Sequence, residues 1–166
     1  MKEKIALFFG FRKGGISFDK YSLHAVLLGL LLIILFTVYE IYILEKSYTL
    51  AWSGAVIFLF GAIIRITARL QLGKLFTFNV KIMHDHKLKT DGLYTYMRHP
   101  GYTGLLIEVI GWCVFFQSWL AALATILFLI PAGYYRIKVE EQTLEINFPE
   151  YKEYKKKTKA LIPYIF

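Results

Sequence analysis

Two long apolar runs limit what this chain can fold into. Residues 24–44 and 50–72 carry almost no charge until Arg65 and Arg69, and only residues 45–49 separate them. Twenty-one residues at about 1.5 Å rise each span about 31 Å, enough for a hydrocarbon core about 30 Å thick. A backbone in lipid must satisfy its own hydrogen bonds, so both runs are expected to be transmembrane helices. Two shorter apolar runs follow at 101–116 and 119–135, joined by the uncharged turn Gln117-Ser118. They read as an antiparallel helical hairpin, with Pro131 a kink in its second arm. Past Tyr135 the helical pattern continues with charge: Arg136, Lys138, Glu140, Glu141 and Glu145. The expected fold is all-α: four membrane spans forming one domain over residues 1–166, its polar pocket built from residues 73–104 and the end of the last helix.

A hydrophobic fraction of 57% and a mean hydropathy of +0.48 are too apolar for an ordinary soluble domain. The net charge of +8 is laid down in blocks outside the apolar runs, where it meets anionic headgroups. No nucleic-acid-binding motif accompanies it, so nucleic acid is not an expected partner. Lysine and arginine number five before Tyr21, five from Gly73 through Arg98 and seven from Arg136 onward, against one and none in the two opposite links. That asymmetry predicts a multi-pass protein with both termini and the long connection in the cytoplasm. No cleavable signal peptide is expected, because a full-length span follows some twenty mixed residues. The first 21 residues read equally as an amphipathic interfacial segment, with Ile5, Leu7, Phe8, Phe9 and Phe11, or as a disordered tail. Cys113 is the only cysteine and sits among apolar neighbours, as expected of a buried, inert thiol.

The chemistry concentrates in residues 88–102, polar, aromatic and glycine-punctuated between apolar runs. Asp91-Gly92 predicts a tight turn. His99 precedes a proline and is biased away from helix. Pro100 fits a first helical position, where its missing N–H costs nothing. A helix therefore starts at the membrane edge, its positive end able to hold an anion. The plain alternative is a membrane-entry loop with a proline-started helix.

Arg98-His99-Pro100-x-Tyr102-x-Gly104, preceded by Asp91-Gly92-Leu93-Tyr94, resembles the isoprenylcysteine carboxyl methyltransferase family. The Arg-His-Pro element also resembles phospholipid N-methyltransferases and the C-terminal part of membrane sterol reductases. Glu140-Glu141-x-x-Leu144, Phe148, Tyr151, Tyr154 and Ile162-Pro163 look more specifically like the carboxyl methyltransferase tail. The likeness runs from about Arg65 to the end; the first 60 residues match only as apolar helices. It implies an integral membrane enzyme that takes S-adenosyl-L-methionine, releases S-adenosyl-L-homocysteine, and methylates a lipid or prenylated small molecule drawn from the bilayer, on a carboxyl or hydroxyl oxygen. It further implies cofactor contacts at His86, Lys87, Leu88, Lys89, Tyr94, His99, Pro100, Gly101, Tyr102 and Glu140, and a substrate-orienting role for Arg136. The family's run after the leucine is usually apolar, so Lys89 is expected to offer its backbone and turn its side chain away.

Physical chemistry suits such a cofactor. Its carboxylate fits the helix start at Pro100-Gly101 and its ammonium fits Glu140. Its sulfonium fits the faces of Tyr94 and Tyr102, an attraction of about 0.5–2 kcal/mol. Other readings stand beside these. Arg136 and Glu140 at i, i+4 make an ordinary helix ion pair worth about 0.3–0.5 kcal/mol, in the weaker order. His84-Asp85-His86 is a metal-site pattern without a third ligand at a set spacing, so no metal is expected. Tyr94, Tyr96 and Tyr102 are belt aromatics in the plain reading, which suits Tyr96 best. Arg69 is expected to snorkel, Arg65 to face a cavity or partner, and Glu108 to be a helix-packing contact or the partner of Arg65. Glu40 is expected to reach the opposite interface. A phospholipid N-methyltransferase and a non-catalytic lipid-binding protein are the competing functions; the oligomeric state is open.

Overall fold

A computed structural model describes residues 16–17, 21–44, 48–77, 81–82 and 88–162 of the chain. Four apolar helices dominate it: α1 (Ser22–Ile43), α2 (Ala51–Leu72), α3 (Pro100–Phe116) and α4 (Trp119–Asn147). Three of them are long and apolar enough to cross a membrane, and α3 is a shorter apolar helix of 17 residues. Apart from one pair of two-residue strands, the described residues are helices and their connections, and the protein is a multi-pass membrane protein. A short helix, α5 (Tyr151–Lys157), follows α4. The strands β1 (Ile16–Ser17) and β2 (Lys81–Ile82) pair antiparallel, Ile16 opposite Ile82.

The helices pack as two pairs, α1 against α4 and α2 against α3. In α1 the buried positions Ser22, Val26, Gly29, Ile33, Thr37 and Glu40 repeat every three or four residues, so one face turns inward. Leu28, Leu35 and Val38, all more than half exposed, turn outward to lipid. The inward face meets Ala121, Ala124 and Leu129 of α4 and Val109 of α3 in the apolar core. Glu40 does not reach the interface as expected. It is buried and accepts the Leu120 N–H at 2.9 Å, because the first turn of α4 offers an unpaired amide within the bundle.

The α2–α3 pair is set by glycines seven apart: Gly54 and Gly61 on α2, Gly104 and Gly111 on α3. Gly61 lies opposite Gly104 and Glu108, and Gly54 opposite Gly111 and Phe115, so the helices run antiparallel with their backbones in near contact. Without a hydrophobic drive between lipid-solvated helices, such close packing supplies the association energy. A Cβ at Gly111 would sit 2.4 Å from the Phe58 amide nitrogen. Gly111→Val is therefore expected to push the helices apart and cost about 1–3 kcal/mol or more, read as a lower thermal unfolding midpoint in detergent; an unchanged midpoint would show that the pair tolerates separation. At one end of the stripe Arg65 Nε meets the buried Glu108 Oε1 at 2.8 Å. Of the alternatives open for these residues, the structure shows the one in which they are partners. Arg69 stacks over the Phe76 ring, 4.5 Å from its centroid.

Gln117 adopts the left-handed conformation at the end of α3 (φ 48°), and Ser118 caps α4 by accepting the Ala121 N–H at 3.1 Å. The hairpin reading holds, but its second arm is not short. α4 runs for 29 residues, about 43 Å at 1.5 Å per residue, so Arg136 to Glu145 continue the same helix past its apolar part. Ahead of Pro131, where the sequence suggests a kink, the helix takes a π-helical turn over Thr125–Leu129. A proline lacks the N–H and crowds the carbonyl four residues back, and the wider turn relieves both.

Candidate functional site

The stretch singled out in the sequence folds as a sequence of stops. Gly92 takes a positive φ of 64° and opens the 3₁₀ turn Gly92–Thr95. A Cβ there would also strike the Gln71 side chain at 2.6 Å. Gln71 in turn accepts the Leu93 N–H at 2.9 Å and ties the turn to the end of α2. Tyr94 is buried, its hydroxyl 3.4 Å from the Ala68 carbonyl; burial raises its pKa, so it stays a neutral phenol. Lys89 turns its side chain to Asp91, at 2.9 Å. Tyr96 is exposed. His86, Lys87 and the His84-Asp85-His86 pattern lie outside the described residues, as does the segment from Ile5 to Phe11; Leu88 is described and half-buried.

Pro100 begins α3 with His99 as the residue before it, outside helical geometry (φ −126°, ψ 58°). The chain just past α5 packs over this start. The Arg98 and His99 amides donate to the Lys159 and Ala160 carbonyls, both at 2.9 Å, and Thr103 Oγ1 donates to the Leu161 carbonyl at 2.7 Å. The tail thus takes the amides of Arg98 and His99, the two residues just before the Pro100-Gly101 start. The space at Gly101 remains open, since an added Cβ would meet nothing within 4 Å.

The two consecutive glutamates of α4 point about 100° apart, because a helix turns that much per residue, and they serve different structures. Glu141 faces the start of α3. Its Oε1 accepts from Arg98 Nε at 2.8 Å and lies 3.3 Å from His99 Nε2, and its Oε2 meets Lys155 Nζ of α5 at 2.8 Å. A carboxylate only accepts, so His99 Nε2 carries the proton in this pairing. Arg98 also donates to the Lys155 and Thr158 carbonyls, and the Tyr154 hydroxyl donates to the Tyr94 carbonyl. Burial raises the Tyr154 pKa to about 12.

Glu140 faces Tyr102. Its Oε2 accepts the Tyr102 hydroxyl at 2.9 Å, and that hydroxyl accepts from Arg136 Nε at 2.7 Å. Arg136 is buried and also donates from Nη1 to Ser22 Oγ on α1 at 2.9 Å. Arg136 and Glu140 therefore meet through the Tyr102 hydroxyl, in a chain spanning α1, α3 and α4. The Glu140 side chain keeps 34% exposure, while that of His99, with Nδ1 4.0 Å away, keeps only 3%.

Beside this chain a cavity of about 500 Å³ opens between α3 and α4. Leu105, Leu106, Leu129, Ile130 and Ile137 form its apolar walls, and Arg98, Tyr102, Lys138, Glu141 and Lys159 lie along its polar part. The π-helical turn ends where Leu129 and Ile130 line the cavity. Arg136 is not among its lining residues.

Of the expected contacts, the structure brings together His99, Pro100, Gly101, Tyr102, Arg136 and Glu140, and sets Tyr94 beside them under the tail. Sequence reasoning missed Ser22, Arg98, Glu141 and Lys155 as parts of this assembly. The Glu-Glu pair was visible; the 100° divergence of its members was the signal available for Glu141. Among the described residues no cluster of three His, Cys, Asp or Glu could hold a metal ion.

Residues 54–146 match the model of the isoprenylcysteine carboxyl methyltransferase (ICMT) family. A probable protein-S-isoprenylcysteine O-methyltransferase of Oryza sativa subsp. indica is 36% identical over 125 residues, 74% of this chain and 65% of that protein. Protein-S-isoprenylcysteine O-methyltransferase B of Arabidopsis thaliana is 32% identical over 125 residues, 74% of this chain and 64% of its own. The chain thus spans just under two thirds of these relatives. A solved structure of the eukaryotic intramembrane Ras methyltransferase ICMT superposes with a TM-score of 0.61 at 25% identity, covering 85% of this chain and 51% of that one.

Proposed function

The chain belongs to the isoprenylcysteine carboxyl methyltransferase family, and on that premise we propose that it transfers a methyl group from S-adenosylmethionine to the carboxylate of a lipid-like, prenylcysteine-type acceptor. The observation that carries this reading is the juxtaposition of the Arg136–Tyr102–Glu140 chain with an apolar cavity of about 500 Å³. An apolar tail fits the walls of Leu105, Leu129 and Ile137, with its polar head at Tyr102.

The residues present fit such a cofactor. The space at Gly101 is open at the start of α3, Glu140 is reachable from solvent, and the buried Tyr151 hydroxyl has no partner among the described residues. Glu140 would hold the ammonium, the start of α3 at Pro100-Gly101 the carboxylate, and Tyr102 and Tyr94 the sulfonium flank; His99, the backbone of Leu88 and Lys89, and His86 and Lys87 complete the proposed set. When bound, the cofactor supplies an electrophilic methyl group on sulfur. The chain's own work is positioning and exclusion of water. Arg136, anchored at Nε and Nη1, presents a fixed cation near Tyr102, and a planar guanidinium suits a carboxylate better than an ammonium does. A carboxylate is already ionised at neutral pH, so no general base is needed. The excess of lysine and arginine in the N-terminal segment, the 73–98 connection and the C-terminal stretch supports a cytoplasmic site on the same side as both termini.

Vesicles of defined sidedness test both parts at once. Labelled S-adenosylmethionine supplied to the face carrying the termini is expected to label a prenylcysteine as a base-labile ester, and supply to the other face is expected to give none. Labelling of phosphatidylethanolamine in place of prenylcysteine would favour an N-methyltransferase. Failure to bind S-adenosylhomocysteine would leave a non-catalytic lipid-binding protein.

A further inference from the structure

Gly133 stands in the middle of α4, where a glycine weakens a helix relative to alanine. In a membrane bundle a glycine earns its place where it lets two backbones approach. Gly29, Gly54, Gly61, Gly104 and Gly111 do so: a Cβ built on any of them would meet a neighbouring helix within 3.3 Å. A Cβ at Gly133 would meet nothing within 4 Å. Within α1 to α4, Gly101 at the proposed cofactor site is the other glycine with such open space. Helix packing therefore does not account for Gly133.

The open space belongs to the cavity. Ile130, Gly133, Ile137 and Glu141 follow one another at three or four residues and all line it, so they form one stripe of α4. Gly133 is the position in that stripe without a side chain. Leu105 and Leu106 of α3 line the same space. The polar part carries Arg98, Lys138 and Lys159 against one acid, Glu141, a balance that suits an anionic head. Gly133 precedes Arg136 by three residues, about 4.5 Å along the axis. It therefore lies less than one turn to the apolar side of the contact between Arg136 and Tyr102.

We propose that Gly133 is a specificity-determining residue for the acceptor: its missing side chain leaves the passage for the first part of an apolar tail behind an anionic head at Tyr102. The inference rests on the function proposed above and deepens it. A side chain at this position would project into the cavity without striking the rest of the protein, so it would take space from the tail alone. The bulk of residue 133 then sets how wide a tail the enzyme accepts.

Gly133→Ala and Gly133→Leu are compared with wild type as full chains in nanodiscs. Three quantities are measured: binding of a labelled cysteine bearing a fifteen-carbon prenyl tail, binding of S-adenosylhomocysteine, and the ligand-free thermal midpoint. The prenylcysteine is expected to bind about twofold more weakly to the alanine variant and about tenfold more weakly to the leucine variant, the latter a loss of about 1.4 kcal/mol. Affinity for S-adenosylhomocysteine is expected to stay within about twofold. The midpoint is expected to hold or rise, because alanine and leucine are better helix formers than glycine. Unchanged prenylcysteine affinity in both variants would overturn the proposal and leave the space to bulk lipid chains. Equal weakening of both ligands would overturn it by showing a collapsed site, and a lower midpoint would overturn it by showing that the new side chain strikes the protein. Methyl transfer is read separately. A wild type that binds both ligands and transfers no methyl group sinks the proposed function, while the binding series still decides whether Gly133 shapes the tail passage.

Discussion

Glu141→Ala is expected to destabilise the protein by about 3–5 kcal/mol, the cost of leaving buried charges without their partner. Glu141 receives Arg98, His99 and Lys155, and the side chains of Glu141 and Arg98 are only 11% and 9% exposed. Removing the carboxylate leaves the Arg98 guanidinium facing only the Lys155 and Thr158 carbonyls and removes the Lys155–Glu141 ion pair that helps hold α5 against α4. The thermal midpoint in detergent should fall steeply, and trypsin should gain access to the lysines between Lys155 and Lys159. Glu141→Gln keeps the shape and one acceptor, so it should fall between wild type and alanine. A Glu141→Ala protein with wild-type stability and an uncut tail would show that the packing of α5 does not depend on this cluster.

Glu140→Gln is expected to leave the fold intact and weaken S-adenosylhomocysteine binding about tenfold to a hundredfold, equivalent to losing a charge-assisted contact of about 1.5–3 kcal/mol. A glutamine oxygen still accepts the Tyr102 hydroxyl that Glu140 now accepts at 2.9 Å, so the internal chain survives while the negative charge does not. The contrast lies one helical turn away. Arg136→Lys cannot reproduce the two-sided hold on Tyr102 and Ser22, and should lower transfer to a carboxylate acceptor while affinity for the cofactor stays within about threefold, under 1 kcal/mol. Calorimetry on both variants, with turnover on a prenylcysteine, separates the roles. An unchanged dissociation constant for Glu140→Gln would remove that residue from the cofactor site. Equal turnover of Arg136→Lys and wild type would remove the carboxylate from the reading of the acceptor.

The two glutamates also show where sequence reasoning stopped. Glu140 was assigned to the site through resemblance and its spacing from Arg136, and the structure brings the two together at a third residue, Tyr102. Glu141 stood next to it in plain view, yet its partners Arg98, His99 and Lys155 sit 43 and 42 residues before it and 14 after it in the chain. Nothing in the local pattern says that an arginine at the end of a loop will reach a glutamate on another helix. Glu40 failed for the same reason: its position near a helix end suggested water, but the amide of Leu120, 80 residues on, was nearer.

What the sequence determined by itself is what each segment settles with the solvent and with its own neighbours. The span lengths follow from transfer of apolar side chains into lipid. The break at Gly92 follows from a positive φ, the start of α3 from the fixed φ of Pro100, and the hairpin from a two-residue polar turn; each is a free energy of a few consecutive residues, so each is written locally. The tertiary structure alone decided which groups meet: Gly61 with Gly104, Ser22 with Arg136 across 114 residues, and the tail carbonyls with the amides at Arg98 and His99. Those pairings depend on how helices orient once inserted, where buried donors and acceptors must all find partners together, and that condition belongs to the assembled bundle and to no single stretch of chain.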